Sequence, residues 1–340
     1  MVLAIKHLFF VETELQALSA IAIVRTEFLS EPLFLVTSKS ILKYLTEKGY
    51  SVEYVGNRPR GWFGRFIGML ELTDQVCRYG YMGSLTLYVA RLDTFLCNVL
   101  VGSCLKRLGI NNVDICLLPD GSLNLIKEDA SERWNNESRN WLKKIAYGFF
   151  GRLALAEIYG ERIGADMDVV KRIYCFNGLG EHYPENKKIQ IPSFNDIGDS
   201  TIPNTAIVVG QPLSRAGAMQ DEIILNITQA IKNYLDSVGV DKVLFAPHPR
   251  SDKNELMDEA YGILEHDSLC LEEYLQDNPA AYIVSCSSTV LFNAKLMYGN
   301  SIESVAVGIE HLQAVPESLK GMMESYSNIG VRLLPVPPLD

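Results

Sequence analysis

The chain has no C-x-x-C pair, no uninterrupted apolar stretch of membrane-spanning length, no G-x-G-x-x-G after its first strand-like run, and no surplus of basic residues. Each absence removes a class of function. Lys and Arg number 31 against 41 Asp and Glu, a formal net charge of −10. A long nucleic-acid footprint needs the opposite balance, because cations must displace phosphate counterions; a local basic patch is still compatible with it. The seven cysteines (Cys77, Cys97, Cys104, Cys116, Cys175, Cys270, Cys286) fall mostly inside apolar runs. They read as buried reduced thiols of a cytosolic protein, rather than as a disulfide framework or zinc site. Apolar stretches near 85–105 and 145–158 are broken by Arg91, Asp93 and Arg152, so no transmembrane helix is expected. The opening MVLAIKHLFFV lacks a basic leading region and a cleavage motif, and HLFFV reads as a first strand. The missing glycine fingerprint argues against an NAD-type enzyme. His182 and His311 lack metal-ligand spacing, His7 sits in a core strand, and His266 in EHDS reads as a surface residue.

What is present is length and alternation. A chain of 340 residues, 48% of them hydrophobic, suffices for two domains that each bury a core. Short β-rich runs at 7–11, 33–37, 52–56, 85–89 and 114–118 alternate with helical pattern, for example 38–48 and 92–107, and a long helical segment is expected over 137–158. The stretch 177–204 is rich in Gly, Pro, Asn and Asp and reads as a linker. Alternation then resumes with strands at 206–210, 242–246, 280–286 and 304–308 and helices at 219–237, 254–264 and 287–298. The expectation is an α/β protein with domains 1–176 and 205–340, two parallel-sheet units facing one another. Ligands of such sheets bind beyond the carboxyl ends of the strands, which singles out three places.

The first is LLPDGSLNLI, where Asp120 and Gly121 follow the strand 114–118. Asp-Gly is a common turn; a carboxylate there can also serve as a general base, with Ser122 and Asn124 beside it to bind a polar acceptor. The second is FAPHPR, where Pro247 and Pro249 stiffen the backbone around His248. Proline ends strands for purely structural reasons, yet a histidine so presented can hydrogen-bond an anionic leaving group, with Arg250 as a fork of further donors. The third is CSSTVLFNAKLMYG, a strand running straight into a helix. Ser287 or Ser288 is a natural N-cap, and the pair with free N–H groups at a helix start also makes an anion site. Gly210 and Gln211, which end the strand in VVGQPL, fall in the same class of strand-end position.

Asp-Gly after a strand, APHPR well downstream, and LEEYL followed by a serine pair at a strand–helix junction resemble the bacterial sialyltransferases with acidic-Gly, HP and Ser motifs. The likeness is greatest to the lipooligosaccharide sialyltransferase group (glycosyltransferase family 52), with the capsular polysialyltransferases as relatives, and it covers 114–126 and 205–310. The resemblance implies a GT-B-like fold, two Rossmann-like domains facing a central cleft, and inverting transfer of sialic acid from CMP-sialic acid to a glycan hydroxyl, galactose in the first instance. It implies no cofactor and no metal in the catalytic step. Residue by residue, it makes Asp120 the general base, His248 the contact to the donor phosphate, and Ser287 and Ser288 the holders of phosphate or sugar carboxylate; Pro249 and Arg250 complete the donor loop, and Gly121, Ser122 and Asn124 the acceptor side. The family often carries two acidic residues before the glycine, and here the first of these positions is Pro119.

Two other readings stay open at this point. One is a different CMP- or CDP-donor transferase, acting with Kdo, another nonulosonic acid or glycerol phosphate; the other is a non-catalytic nucleotide- or glycan-binding protein of the same fold. The partners expected are a CMP-sugar and a glycan or lipid-linked oligosaccharide for a bacterial surface polymer such as lipopolysaccharide or capsule, with a homodimer compatible and nucleic acid not expected. The location expected is cytoplasmic and peripheral at the inner membrane. That last expectation rests on NRPRGWFGRF, 57–66, where Arg58, Arg60 and Arg65 interleave with Trp62, Phe63 and Phe66. The segment reads either as a loop entering a helix with buried aromatics or as a contact with anionic headgroups.

Overall fold

The computed structural model describes residues 5–56, 62–81, 83–119, 151–161, 163–176, 182–191, 204–214, 219–248, 253–313 and 316–337, without the side chains of Trp62, Phe63, Arg65 and 316–318. Asp120, Gly121, Ser122, Asn124, Pro249, Arg250, Arg58 and Arg60 lie outside the described residues. The chain divides into two compact units, 1–191 and 192–340.

In unit 1 the strands are β1 (Ile5–Val11), β2 (Leu33–Val36), β3 (Ser51–Tyr54), β4 (Ser84–Val89), β5 (Val113–Leu117), β6 (Val170–Cys175) and β7 (Lys188–Gln190). They form one sheet in the order β3-β2-β1-β4-β5-β6-β7, and every pairing is parallel. Parallel sheets are covered on both faces, so their strands read as unbroken apolar runs. On one face Leu8, Phe10, Leu35, Leu87 and Ile115 pack against Val76 and Cys77 of α3 (Trp62–Gly80) and Leu100, Val101 and Cys104 of α4 (Phe95–Leu108). On the other, Phe9 stacks on Tyr88 at 4.0 Å and on Phe34 at 5.0 Å. Burial of each such ring contributes about 2–3 kcal/mol. Beside these rings, His7 Nδ1 lies 3.1 Å from the Tyr88 hydroxyl, and Arg172 Nη1 pairs with Glu27 Oε2 at 3.0 Å. The other α-helices among the described residues of this unit are α1 (Glu14–Thr26), capped by the Thr13 hydroxyl, and α2 (Lys39–Glu47).

Two stretches expected from the sequence to be helical are not helical where the structure describes them. Residues 151–158, the described part of 137–158, run as non-helical chain along α4. Asn98 Nδ2 donates to Ala156 O at 3.0 Å, the Ala154 N–H donates to Ser103 Oγ at 2.9 Å, and a Cβ on Gly102 would come within 2.4 Å of Ala156 N. The α4 helix thus uses its one interior glycine to admit another backbone. The stretch 254–264 forms turns and a short strand, because Leu256 adopts φ +71° and the Glu255 carboxylate is engaged elsewhere. Strand β7, at 188–190, lies within the stretch 177–204 and extends the sheet next to β6.

Unit 2 contains β8 (Thr205–Val209), α5 (Asp221–Val238), β9 (Lys242–Ala246), β10 (Gly262–Ile263), α6 (Leu271–Asp277), β11 (Tyr282–Ser285), α7 (Thr289–Tyr298), β12 (Glu303–Val307), α8 (Pro316–Asn328) and β13 (Arg332–Leu334). Its sheet runs β10-β9-β8-β11-β12-β13, again wholly parallel. Helix α5 buries Ile224, Ile227, Ile231, Tyr234 and Leu235, a helical period, against Val208, Phe245, Val284 and Val305. It stops where Gly239 takes the left-handed conformation and returns its N–H to Leu235 O and Asp236 O. None of the seven cysteines is in a disulfide, and all but Cys270 are buried. Among the described residues no helix is long and apolar enough to cross a membrane. Phe66 is 5% exposed and clusters with Met69, Val99 and Leu153, so this ring of the 57–66 segment faces the interior.

Candidate functional site

In unit 2 the chain builds outward from β8 in one direction through β9 and β10, and from β11 in the other through β12 and β13. The sheet therefore has its topological switch point between β8 and β11, the kind of place where ligands of parallel sheets bind. Gln211 and Ser287 lie on opposite sides of that point. Gln211 Oε1 accepts the Ser287 N–H at 2.7 Å, and Gln211 Nε2 donates to Ser287 Oγ at 3.2 Å. Because an amide N–H can only donate, the atom facing it is the glutamine oxygen, and the orientation of the side chain is fixed. Buried Ser285 adds to the bridge: its hydroxyl lies 2.7 Å from Val209 O and 2.9 Å from Gln211 Oε1. Gln211, expected from sequence as a donor contact, is thus first a tie between two loops.

The serine pair is divided in its roles. Ser288 is the N-cap of α7, with its Oγ accepting the Val290 N–H at 3.3 Å. Ser287 is held by Gln211. From behind, the phenol of Tyr326 on α8, 2% exposed, lies 3.1 Å from both Ser287 O and Ser288 O. Burial pushes that phenol well above its ordinary pKa and keeps it a neutral donor. The expected free N–H at Ser287 is therefore occupied; both serine side chains are half-buried and Thr289 is exposed. LEEYL lies in α6, where buried Glu272 accepts from Asn293 Nδ2 at 2.7 Å and its carbonyl accepts from Tyr298 Oη at 2.8 Å. Its part is to seat α7.

His248 comes off β9, the strand next to β8. A Cβ on Gly210 would lie 2.8 Å from Phe245 Cζ, 3.3 Å from Ala246 O and 3.4 Å from His248 N. Only glycine lets the ends of β8 and β9 approach so closely, and the Gly210 N–H donates to Ala246 O at 2.9 Å. Gly210, Gln211, His248, Ser287 and Ser288 are all at the carboxyl edge of one sheet, as their placement in the sequence implied.

One contributor was not read from the sequence. Glu255, 9% exposed, receives the N–H groups of Leu213 and Ser214 and the Ser214 hydroxyl, and Lys253 Nζ lies 3.4 Å from Ser214 Oγ. The carboxylate closes the β8 loop onto the segment that follows the His248 loop. In unit 1 the corresponding switch point lies between β1 and β4. There the Glu12 N–H donates to Gln16 Oε1 at 2.8 Å, and the Cys97 thiol lies 3.9 Å from Glu12 Oε2. Arg91 and Asp93, just past β4, form a two-pronged ion pair. Among the described residues no three His, Cys, Asp or Glu side chains gather as a metal would require.

Residues 174–305 match the family model described as alpha-2,8-polysialyltransferase. That span holds Gly210, Gln211, His248, Glu255, Ser287 and Ser288. No curated protein matches the sequence. Among solved structures, the glycosyltransferase of kitacinnamycin has a TM-score of 0.52 at 12% identity, with 98% of this chain and 87% of that chain covered. A Listeria monocytogenes protein assigned as a UDP-N-acetylglucosamine 2-epimerase has a TM-score of 0.51 at 8% identity, with coverages of 97% and 88%. At such identities the likeness speaks for the fold. The chain is an α/β protein of the GT-B type, and its matched span is similar to a sialyltransferase-related family.

Proposed function

We propose that the protein is an inverting sialyltransferase that moves sialic acid from CMP-sialic acid to a hydroxyl, in the first instance of galactose, on a bacterial cell-surface glycan precursor. The observation that carries this reading is the Gln211–Ser287 bridge across the switch point of unit 2. It pins two half-buried serines at the start of α7, inside the span that matches the polysialyltransferase model. The Ser287 and Ser288 hydroxyl protons then suit an anionic phosphate, strengthened by the dipole of α7. His248, beside Gly210, stabilises negative charge as CMP departs, with Pro249 and Arg250 completing its loop. The transition state of such a transfer has oxocarbenium character, so stabilising the leaving group is the main electrostatic task.

On the acceptor side, Asp120 removes the hydroxyl proton as the attacking oxygen bonds to the anomeric carbon, and Gly121, Ser122 and Asn124 bind the acceptor. No metal takes part in this scheme. The setting is the cytoplasmic face of the inner membrane, where 57–66 meets the surface through its arginines, and a homodimer fits it.

The test is CMP release from a panel of CMP- and CDP-linked donors with a β-galactoside acceptor. Release confined to CMP-sialic acid, with sialylated product, supports the reading; release from another donor alone moves the enzyme to that sugar, and no release from any donor leaves a binding protein. Asp120→Asn should abolish transfer while CMP still binds. Transfer at the wild-type rate would shift the base to another carboxylate, of which Glu12 at the unit 1 switch point is the first to examine.

A further inference from the structure

We infer that the cleft between the C-terminal turns of α3 and α4 in unit 1 is a separate anion site, suited to a phosphate monoester or diester. A cavity of about 380 Å³ is lined there by Asp74, Arg78, Arg107, Gly151 and Arg152. Three guanidinium groups thus face one carboxylate, in a chain whose formal net charge is −10. Arg107 Nη1 lies 2.6 Å from Asp74 Oδ1, Arg152 Nη1 lies 3.4 Å from Asp74 Oδ2, and Arg78 Nε donates to the Asp74 carbonyl at 3.3 Å. Among the described residues that line the cleft, one carboxylate meets three cations. Arg107 is the floor, at 18% side-chain exposure, and Arg152 the rim, at 69%.

Arginines in the last turn of a helix also complement its dipole, and this accounts for Arg78 and Arg107. It does not account for Arg152, which arrives on non-helical chain. That chain turns at Gly151, φ +66°, and is then held against α4 through Ser103. The guanidinium fork suits the paired oxygens of phosphate, and several forks around one point make a phosphate site stronger than a single lysine would. The cleft lies at the helix C-terminal turns of unit 1, whereas Gly210, Gln211, His248, Ser287 and Ser288 lie at the strand carboxyl edge of the unit 2 sheet. The inference therefore stands apart from the transferase reading. Tyr81 and Ile110, which follow α3 and α4, are 60% and 62% exposed, so the same end of the unit also offers apolar surface. The phosphate can belong to a soluble compound or to a phospholipid headgroup.

Two binding measurements at constant ionic strength separate these sources: equilibrium dialysis with inorganic pyrophosphate, and co-sedimentation with vesicles of phosphatidylglycerol and phosphatidylcholine in equal parts. Wild type is compared with the double variant Arg78→Gln/Arg152→Gln, with the charge-reversed Arg78→Glu/Arg152→Glu, and with His248→Ala. The expected result is binding by wild type and His248→Ala, weakened roughly tenfold or more in both double variants with their circular dichroism unchanged. Pyrophosphate binding alone assigns a soluble phosphate compound; vesicle binding that pyrophosphate displaces assigns a headgroup. Failure of wild type to bind either probe overturns the site, as does binding by the double variants at the wild-type level. Loss in His248→Ala but not in the double variants also overturns it, and places the anion at the His248 loop without touching the transferase reading.

Discussion

Gln211 and Ser287, 76 residues apart in the chain, are joined by two hydrogen bonds across the point where the unit 2 sheet changes direction. Removing the amide should expose its work. Gln211→Leu strands the Ser287 N–H and costs about 1–3 kcal/mol of unit 2 stability. The expected readout is hydrogen exchange at the Ser287 amide, faster by roughly tenfold or more. Gln211→Glu keeps the acceptor but sets a negative charge beside the proposed phosphate position. It should raise the donor KM with much less loss of protection. Equal behaviour of the two variants would deny Gln211 a part in donor binding.

Glu255→Ala leaves the Leu213 and Ser214 N–H groups and the Ser214 hydroxyl without their acceptor. A loss of about 2–3 kcal/mol is expected, since buried donors left unsatisfied cost their desolvation. Glu255→Gln, which keeps one carbonyl oxygen, should lose less. Urea unfolding followed by circular dichroism checks the order; wild-type stability in the alanine variant would mean the loop is held by something else.

His7 titrates below the ordinary histidine value of 6.5, chiefly because burial disfavours its charged form, then because Arg172 repels it, with Glu27 opposing. Tyr88, its hydrogen-bond partner, is held neutral by burial. A depressed folded-state pKa means the unfolded chain takes the proton first. The contribution to stability is full above pH 6.5 and is lost as pH falls through the lower folded value. Unit 1 should therefore lose urea resistance between neutral pH and about pH 5, and His7→Asn should flatten that slope. All three tryptophans, Trp62, Trp134 and Trp141, precede residue 191, so tryptophan fluorescence reads this unit alone. An unchanged slope in the variant would remove His7 from the account.

The strands were legible because parallel strands buried on both faces leave unbroken apolar runs: KVLFA was read at 242–246, where β9 lies, and β8, β11 and β12 fell within two residues of the expected limits. Short elements at the edges, such as β7 and β13, have too few residues to show a period. NELMDEAYGIL has helical spacing, yet tertiary contacts override it when Leu256 enters the left-handed region and Glu255 caps a distant loop. The site was legible as positions, since glycine, proline and serine mark strand ends. Its wiring was not: neither the partners of Gln211, 74 and 76 residues away, nor that of Glu255, 41 and 42 away, leave any local pattern.

The central claim is that a departing CMP is stabilised by the loop carrying His248, and the most direct measurement is the rate of CMP release from CMP-sialic acid by wild type and His248→Ala. Wild type should release CMP and transfer the sugar to a β-galactoside. The variant, folded as judged by circular dichroism, should turn over roughly 10²–10³ more slowly, the usual cost of one lost electrostatic contact to a developing anion. Equal turnover by the two proteins, or no turnover by wild type, would contradict the account.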